Sequence, residues 1–595
     1  HPHRSVRHLR VAVAVTASNA SIVAALGQLV AFTQLEDGQS QSFRTRAYEK
    51  AIDAINAYPE EVGGYSVDQL KAIEGVGDST ARKIVEFSAN GSIGKVDRLK
   101  KRFPPTMLDL MRIPGLGPKT VLALQEHLDV TDVAGLEVAI SQEKLRTLPG
   151  LGAKSEAKIA ASIQHLGIHS EDRRVPIFDA MKIARRVIAD LDDPAQVRQI
   201  EYAGSLRRLS ETIGDIDILA VADHGAVLER FVSLPGVTAV LGSGSTKASV
   251  VIDDSMQVDL RVVPEEAFGA ALMYFTGSKA HNIELRQRCL DRGWTLNEYS
   301  LSEVESGDVV ASRTEEEVYR ALDLPWITPE AREGVGEIGA AASWTLPGPL
   351  LVDGLRGDLQ VHTTWSGDGR STMTEMLDAV EARGLDYVAI TDHAEDLTIN
   401  GLSREQVRRE AESIVEERAR RPALTILHGA ELNIAPDGHI DYDPDFLAEV
   451  FDFGVASIHS HFDLDEEAQT NRLLTAIENP AVNVIGHPSG RKIGRRRGAS
   501  FNADAVFEAA ADTGTAIEIN SHLQRLDLAA PLIRKAMGFD GLMVAVSTDA
   551  HHTTELENAR WGVAQARKGW VPKERVLNSL RKPEFEAFIA RKRSI

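Results

Sequence analysis

The stretch GDLQVHTTWSGDGRS (residues 357–371) reads as a β-strand that runs into metal ligands. His362 and Asp368 are good donors for a divalent cation. Gln360, two residues before His362, lies on the same face of a strand, because side chains alternate there. Its neutral amide is a weaker ligand than an imidazole. Downstream the pattern repeats, with strand candidates GDLQVH, YVAITDH, LTILHGAEL, FGVASIHSH, VNVIGHP, TAIEINS and MVAVSTDAHH. Helical patterns such as STMTEMLDAVEARG separate several of them, an alternation that implies a parallel sheet or barrel. Six of these seven strands carry ligand-competent residues at or just past their C-terminal ends. They are His362 with Asp368, Asp392 with His393, Glu431, His459 with His461, His487, and Asp549 with His551. The sixth strand ends in Asn520 and is the exception. Strand C-termini are where a βα barrel gathers its active site. One buried histidine is more often a satisfied core residue than a ligand. Ligands at six strand ends need another reason, and a mixed histidine and carboxylate set suits Mn²⁺, Zn²⁺ or Fe²⁺ for metal-assisted hydrolysis.

At 595 residues the chain is long enough for several domains. With 43% hydrophobic and 26% charged residues it has the composition of a globular protein. A net charge of −21 argues against wholesale coating of nucleic acid but leaves room for a local basic groove. Cys289 is the one cysteine, so no internal disulfide framework exists and a reducing, cytoplasmic setting is expected. The opening HPHRSVRHLRVAVAVTASNA imitates a signal peptide, but its apolar run is short, and residues 1–20 are expected to form a disordered leader. No segment is long enough to span a bilayer.

The first half carries a repeat: IEGVGDSTARKI (73–84), IPGLGPKTVLAL (113–124) and LPGLGAKSEAKI (148–159). Gly75 and Gly77, Gly115 and Gly117, and Gly150 and Gly152 permit a tight turn ahead of a helix whose N-terminal amides can hold a phosphate. Such helix-hairpin-helix units grip nucleic-acid backbone without reading sequence. Next, AGSLRRLSETIGDIDILA (203–220) places Asp215 and Asp217 two apart on a short strand, and QVDLRVV adds Asp259. Three converging carboxylates can hold two Mg²⁺ ions for phosphoryl transfer; the plain alternative is two aspartates capping a turn. Gly204 and Ser205, with Arg207 and Arg208 behind them, can cradle a triphosphate. The Gly-, Ala- and Pro-rich stretch 334–354 suits a linker.

Together these segments resemble the X family of DNA polymerases. FRTRAYEKAIDAI and the first hairpin look like its lyase domain (21–100), and the other two hairpins like its DNA-binding subdomain (101–172). GSLRR, GDIDILA and VDLR look like its nucleotidyltransferase palm (173–263), and YFTGSKAHNIELR with WTLNEYSL like its nucleotide-selecting subdomain (264–333). The resemblance implies that Asp215 and Asp217 bind Mg²⁺ or Mn²⁺ and that Asp259 helps activate the primer hydroxyl. It also implies that Gly204, Ser205, Arg208 and Gly214 meet the nucleotide phosphates, Tyr274, Phe275, Gly277 and Asn282 its sugar and base, and Arg286 the template. Lys83 falls where family lyases carry a Schiff-base lysine, and reads equally as a surface lysine on a helix. Arg44 and Tyr48 match the 5′-phosphate pocket, where Ser79 replaces a lysine.

Residues 355–595 resemble a PHP domain, a (βα)7 barrel with a trinuclear phosphoesterase centre. The resemblance assigns His362, Glu431 and Asp549 to one metal, with Glu431 bridging to a second held by His459 and His487. Asp368, His393 and His551 would hold the third. Gln360 stands where the family's DLHxH motif has its first histidine, and Gly367 is inserted before Asp368. RKIGRRR (491–497) reads either as a solvated loop or, beside such a centre, as a grip on DNA. The expected fold is therefore an α+β polymerase core with helix-hairpin-helix repeats, followed by an α/β (βα)7 barrel. The expected function is gap-filling DNA synthesis with 3′-5′ trimming, by a monomer acting on gapped or primer-template DNA and deoxynucleoside triphosphates. The rivals are a small-molecule phosphatase of the histidinol phosphatase kind and a non-catalytic DNA-end scaffold, against which the hairpins and the aspartate triad speak.

Overall fold

Serine caps start the first helices: Ser42 closes a capping box with Thr45 at the head of Phe43–Ala57, and Ser66 does the same with Gln69 at Val67–Ala72. These belong to the first of two compact units, His1–Arg173 and Arg174–Ile595. The computed structural model describes residues 17–593 except 18, 40, 41, 59, 112, 114, 115, 149, 165–173, 223 and 254. Positions 1–16 and 18 of the expected leader thus lie outside the described residues, and the first described helix is Asn19–Asp37. The first unit is helical around one core that includes Leu26, Phe32, Ile55, Ile84, Leu99 and Leu124. No described helix is long and apolar enough to cross a membrane.

The second unit opens on a five-stranded sheet. Its strands are β1 (Val197–Tyr202), β2 (Asp215–Ala222), β3 (Val237–Ser243), β4 (Lys247–Ile252) and β5 (Met256–Val262), in the spatial order β1-β2-β5-β4-β3. β2 and β5 run parallel, in a register that sets Asp217 opposite Asp259. Ile216, Ile218, Val258 and Leu260 face the other way, into the core with Met181 and Val187 of helix Ile177–Leu191. A small antiparallel sheet of β6 (Trp294–Leu296), β7 (Leu301–Glu303) and β8 (Val309–Ala311) follows.

The remainder is the barrel: β9 (Gly357–Val361), β10 (Tyr387–Ile390), β11 (Thr425–Asn433), β12 (Phe453–Ser457), β13 (Val484–Gly486), β14 (Ala516–Asn520) and β15 (Val544–Ser547). All seven are parallel and adjacent in chain order. They are buried on both faces, which is why they read as nearly continuous apolar runs. The seam between β9 and β15 is drawn together by hydrogen bonds from His362 N to Ala550 O at 2.8 Å and Asp549 N to Gln360 O at 3.1 Å. The Asp358 carboxylate adds a clasp, accepting from Thr548 N at 3.1 Å and Thr548 Oγ1 at 2.5 Å.

One expectation needs correction. Residues 334–354 do not form a plain tether. They contain helix Glu337–Ala342, whose Ile338 and Ala341 pack with Leu285, Val318 and Tyr319, while buried Glu337 pairs with His281 at 2.7 Å. In addition, the barrel and the five-stranded sheet share a core, since Leu523, Leu526, Trp561 and Ala564 pack with Ile177, Met181 and Ile213.

Candidate active sites

The parallel register of β2 and β5 builds the first site. Asp217 lies against Gly204, which has φ +63°, and a Cβ there would stand 2.7 Å from Asp217 Oδ2. Only glycine lets the loop approach this closely. Asp259 is buried, accepts from Gln257 Nε2 at 3.0 Å and is ion-paired with Lys247. The recessed setting and the charges of Asp215 and Asp259 push the Asp217 pKa up to about 7, and Asp215 is raised by its setting and by Asp259. Carboxylates crowded in this way are a donor set that a divalent cation satisfies.

The predicted nucleotide-binding residues lie around this edge. Ser205 is in the short helix Gly204–Arg207, and Gly214 immediately precedes β2. Arg208 donates from Nη1 to Thr276 O at 2.5 Å, with its Nε 3.6 Å from Glu333. Gly277, at φ +65°, passes close to the same guanidinium. Asn282 Nδ2 holds Tyr274 O at 2.8 Å, and Arg286 lies over the Tyr274 ring at 5.1 Å. Phe275 packs edge-on against Tyr274, with Arg261 on its face. Arg207 is diverted to structure: it forms a two-pronged pair with Glu315 at 2.8 and 3.0 Å, which buried Arg332 also joins.

At the C-terminal mouth of the barrel, Glu431 is the hub. Its Oε1 lies 2.8 Å from His487 Nε2 and 3.2 Å from His459 Nε2. Its Oε2 lies 3.3 Å from His362 Nε2 and 3.2 Å from His393 Nδ1. Asp549 Oδ1 is 3.3 Å from His362 Nε2, and Asp368 Oδ2 is 3.1 Å from His393 Nε2 and 3.5 Å from His551 Nε2. Three groups offer ligand atoms within 4.8 Å of one another: His362, His393 and His551; His393, Glu431 and His459; and His362, Glu431 and Asp549. Burial works against charge on His362, yet the Asp549 and Glu431 carboxylates raise its pKa well above the usual imidazole range. Burial would raise Glu431 and Asp368, but the imidazoles around them hold both low. His487 and Asp549 adopt left-handed backbone at φ +26° and +55°, the kind of strain that clusters at functional sites.

The fit to metal ions rests on buried atoms that find no hydrogen-bond partner, including Gln360 Oε1, His487 Nδ1 and Asp368 Oδ1. Such atoms are costly unless something else satisfies them. Gln360 is fully buried and its Nε2 approaches Asp549 Oδ1 at 3.4 Å, which leaves the amide oxygen as its spare donor atom. Asn520, the weak end of β14, orients ligands: its Nδ2 donates to Asp549 Oδ2 at 3.1 Å and Glu518 Oε2 at 3.2 Å. Asp392 is consumed locally by Thr363 and Ser366, and His461 is exposed, its Nδ1 3.0 Å from Ser460 Oγ, so neither joins the hub.

Sequence reasoning missed two cations that line this mouth, Arg370 and Arg525, while the third, Lys492, belongs to the basic run 491–497 that it singled out. Arg525 Nε lies 3.6 Å from Asp549 Oδ2. The one advance signal was a basic residue in the loop after β14. The run 491–497 also divides its labour. Arg491 is spent on Arg525 O, Leu526 O and Glu211, and Arg496 on Gly490 O and the Phe462 ring at 3.8 Å. Lys492 faces the site, and Arg495 and Arg497 are exposed.

In the helical unit, Gly77 and Gly117 stand at the N-caps of Asp78–Asn90 and Pro118–Leu128 with no side-chain cap, which leaves the amides of those first turns uncovered by any side chain. Gly75 and Gly150 take φ +100° and +86°, Gly152 precedes Ala153–Gln164, and Gly115 lies outside the described residues. Lys83 Nζ donates to Ser79 Oγ at 2.7 Å, above the Tyr48 ring at 5.4 Å. Burial and the neighbouring Lys95 charge lower its pKa, as imine chemistry requires. Arg44 is held by Glu36 and Asp37.

Known proteins match the same regions. Family models match residues 17–93 (helix-hairpin-helix domain), 107–164 (SAM-like helix-hairpin-helix tandem), 271–333 (DNA polymerase beta thumb) and 358–522 (PHP domain). The DNA polymerase/3′-5′ exonuclease PolX of Bacillus subtilis is 38% identical over 554 residues, spanning 92% of this chain and 95% of its own length. DNA polymerase lambda of Rattus norvegicus is 26% identical over 50% of this chain and 53% of its own. A probable phosphatase of Caldanaerobacter subterraneus is 30% identical over 37% of this chain and 86% of its own.

Proposed function

Since the chain belongs to the X family of DNA polymerases that carry a PHP domain, we propose that its two sites divide synthesis from trimming. It is a DNA-directed DNA polymerase with 3′-5′ exonuclease activity, using divalent metals, DNA and deoxynucleoside triphosphates. Synthesis takes place at Asp215, Asp217 and Asp259, with Mg²⁺ or Mn²⁺. Arg208 and Ser205 hold the triphosphate, and Tyr274 and Asn282 shape the pocket for sugar and base. Trimming takes place at the Glu431 hub, where His362, His393, His459, His487, Asp549, Asp368, His551 and the Gln360 amide oxygen hold Mn²⁺, Zn²⁺ or Fe²⁺. When bound, these ions supply Lewis-acid activation of water and of the phosphoester. Arg370, Lys492 and Arg525 hold the phosphate at the mouth, and the uncapped Gly77 and Gly117 helix starts hold the DNA backbone. The enzyme acts as a cytoplasmic monomer on short gaps during repair. The observation that carries this reading is the presence of two separate cation-binding donor sets within one unit, one of carboxylates and one dominated by imidazoles. Primer extension, 3′ trimming and metal content, measured on one preparation, test it; a preparation that hydrolyses small phosphomonoesters but neither extends nor trims DNA points to a phosphatase.

Gln360→His restores an imidazole on the inward face of β9. We expect the Mn²⁺ midpoint for trimming to fall about tenfold, within the range that changes around a metal produce, with synthesis unaltered. Calorimetric Mn²⁺ titration of both proteins checks the same point without turnover. An unchanged midpoint means either that Gln360 is not a ligand position or that its amide already coordinates well enough to make the substitution neutral. For Lys83, borohydride is expected to trap a covalent adduct with a 5′-deoxyribose-phosphate end, and Lys83→Ala to lose it. Equal trapping in the variant moves the nucleophile elsewhere.

A further inference from the structure

Lys568 is the last residue of helix Ala559–Lys568, which belongs to the barrel. Its side chain leaves the barrel and uses its ammonium on the polymerase core. Nζ donates to Arg208 O at 2.8 Å and approaches Leu209 O at 3.4 Å, while lying 2.6 Å from Glu333 Oε1. An ammonium has three donors and no acceptor, so these contacts exhaust it. Both carbonyls lie just past the short helix Gly204–Arg207, which carries the proposed triphosphate cradle.

The same Glu333 carboxylate faces the Arg208 guanidinium at 3.6 Å, and Arg208 Nη1 is tied to Thr276 O at 2.5 Å. Lys568 thus touches Arg208 twice, directly at its backbone and indirectly at its side chain through Glu333. Leu209, the next residue, is held at φ +55°. A branched residue persists in that region only where its surroundings fix it. The neighbouring Arg567 reinforces the grip, with Nη1 3.5 Å from Glu330 and Nε donating to Leu350 O at 2.6 Å. Lys568 itself is only 14% exposed, so water screens the pair weakly.

The geometry points to Lys568 as a positioning residue for nucleotide addition: a side chain of the PHP barrel that fixes the backbone and guanidinium of Arg208 in the orientation that receives the triphosphate. The inference rests on the proposed role of Arg208. It places a determinant of nucleotide affinity inside the domain that performs trimming, though Lys568 is not among the residues that line the trimming site.

The test uses the full chain and steady-state primer extension. Lys568→Met keeps the aliphatic stem and removes the ammonium. Its expected effect is a roughly tenfold rise in the deoxynucleoside triphosphate KM, the size of coupling seen between contacting residues. kcat should change less than twofold, as should 3′ trimming on single-stranded DNA. Lys568→Arg should recover most of the affinity. Lys568→Met added to Glu333→Gln should cost less than it does alone, because both act on one guanidinium. Arg208→Ala separates the two levels of the argument. If Arg208→Ala raises KM and Lys568→Met does not, the positioning role is wrong while the cradle stands. If Arg208→Ala leaves KM unchanged, the cradle itself is wrong and the inference goes with it. A parallel fall of trimming and synthesis in Lys568→Met, with a lowered Tm, would mean that the lysine only holds the fold together.

Discussion

Asp217→Ala will lose nucleotide addition by at least about a thousandfold, because cation stabilisation of transferring phosphoryl groups supplies several kcal/mol and each 1.4 kcal/mol is tenfold. Asp217 sits between Asp215 and Asp259 in charge terms, and burial first, then the charges of those two carboxylates, push its pKa up to about 7. Its removal relieves both, so the variant should fold at least as well as the parent. Trimming should persist within about twofold, since distant sites behave independently. The measurement is primer extension and 3′ trimming on one preparation, with Tm as the check on folding. Loss of both activities in a folded variant would refute the separation of sites.

Glu431→Gln is the converse. The carboxylate meets four imidazoles, His362, His393, His459 and His487, through its two oxygens. The amide keeps the shape and removes the charge, and it presents an N–H₂ group where a cation or imidazole proton should be. Trimming should fall by about a thousandfold or more on the same several-kcal/mol argument, and bound metal should drop by at least one equivalent. Synthesis should remain. Retained metal content together with retained trimming would show that the hub does not bridge ions.

The barrel was legible because buried parallel strands are near-continuous apolar runs, and because each run ended in a residue that apolar cores rarely tolerate. GDIDILA announced its own register, since alternate residues must be apolar for the other face to pack. What stayed hidden depends on long-range contacts. Arg491 and Arg496 look like free positive charge in RKIGRRR, yet they spend themselves largely on carbonyls that only the folded loops bring near. The stretch 334–354 has the composition of a tether, and nothing local says that His281, more than fifty residues earlier, awaits Glu337. Arg525 and Lys492 follow different strands and converge at one mouth through the curvature of the barrel.

The core shared by Trp561, Leu523 and Leu526 with Ile177, Met181 and Ile213 has a practical meaning for anyone who would divide the chain. Excising the barrel after residue 333 would strip Met181 and Ile213 of apolar cover, free Glu211 from Arg491, and take Lys568 from Arg208. The exposed patch would favour aggregation. The polymerase half is therefore no cassette to be transplanted alone, and the exonuclease half serves as part of its foundation.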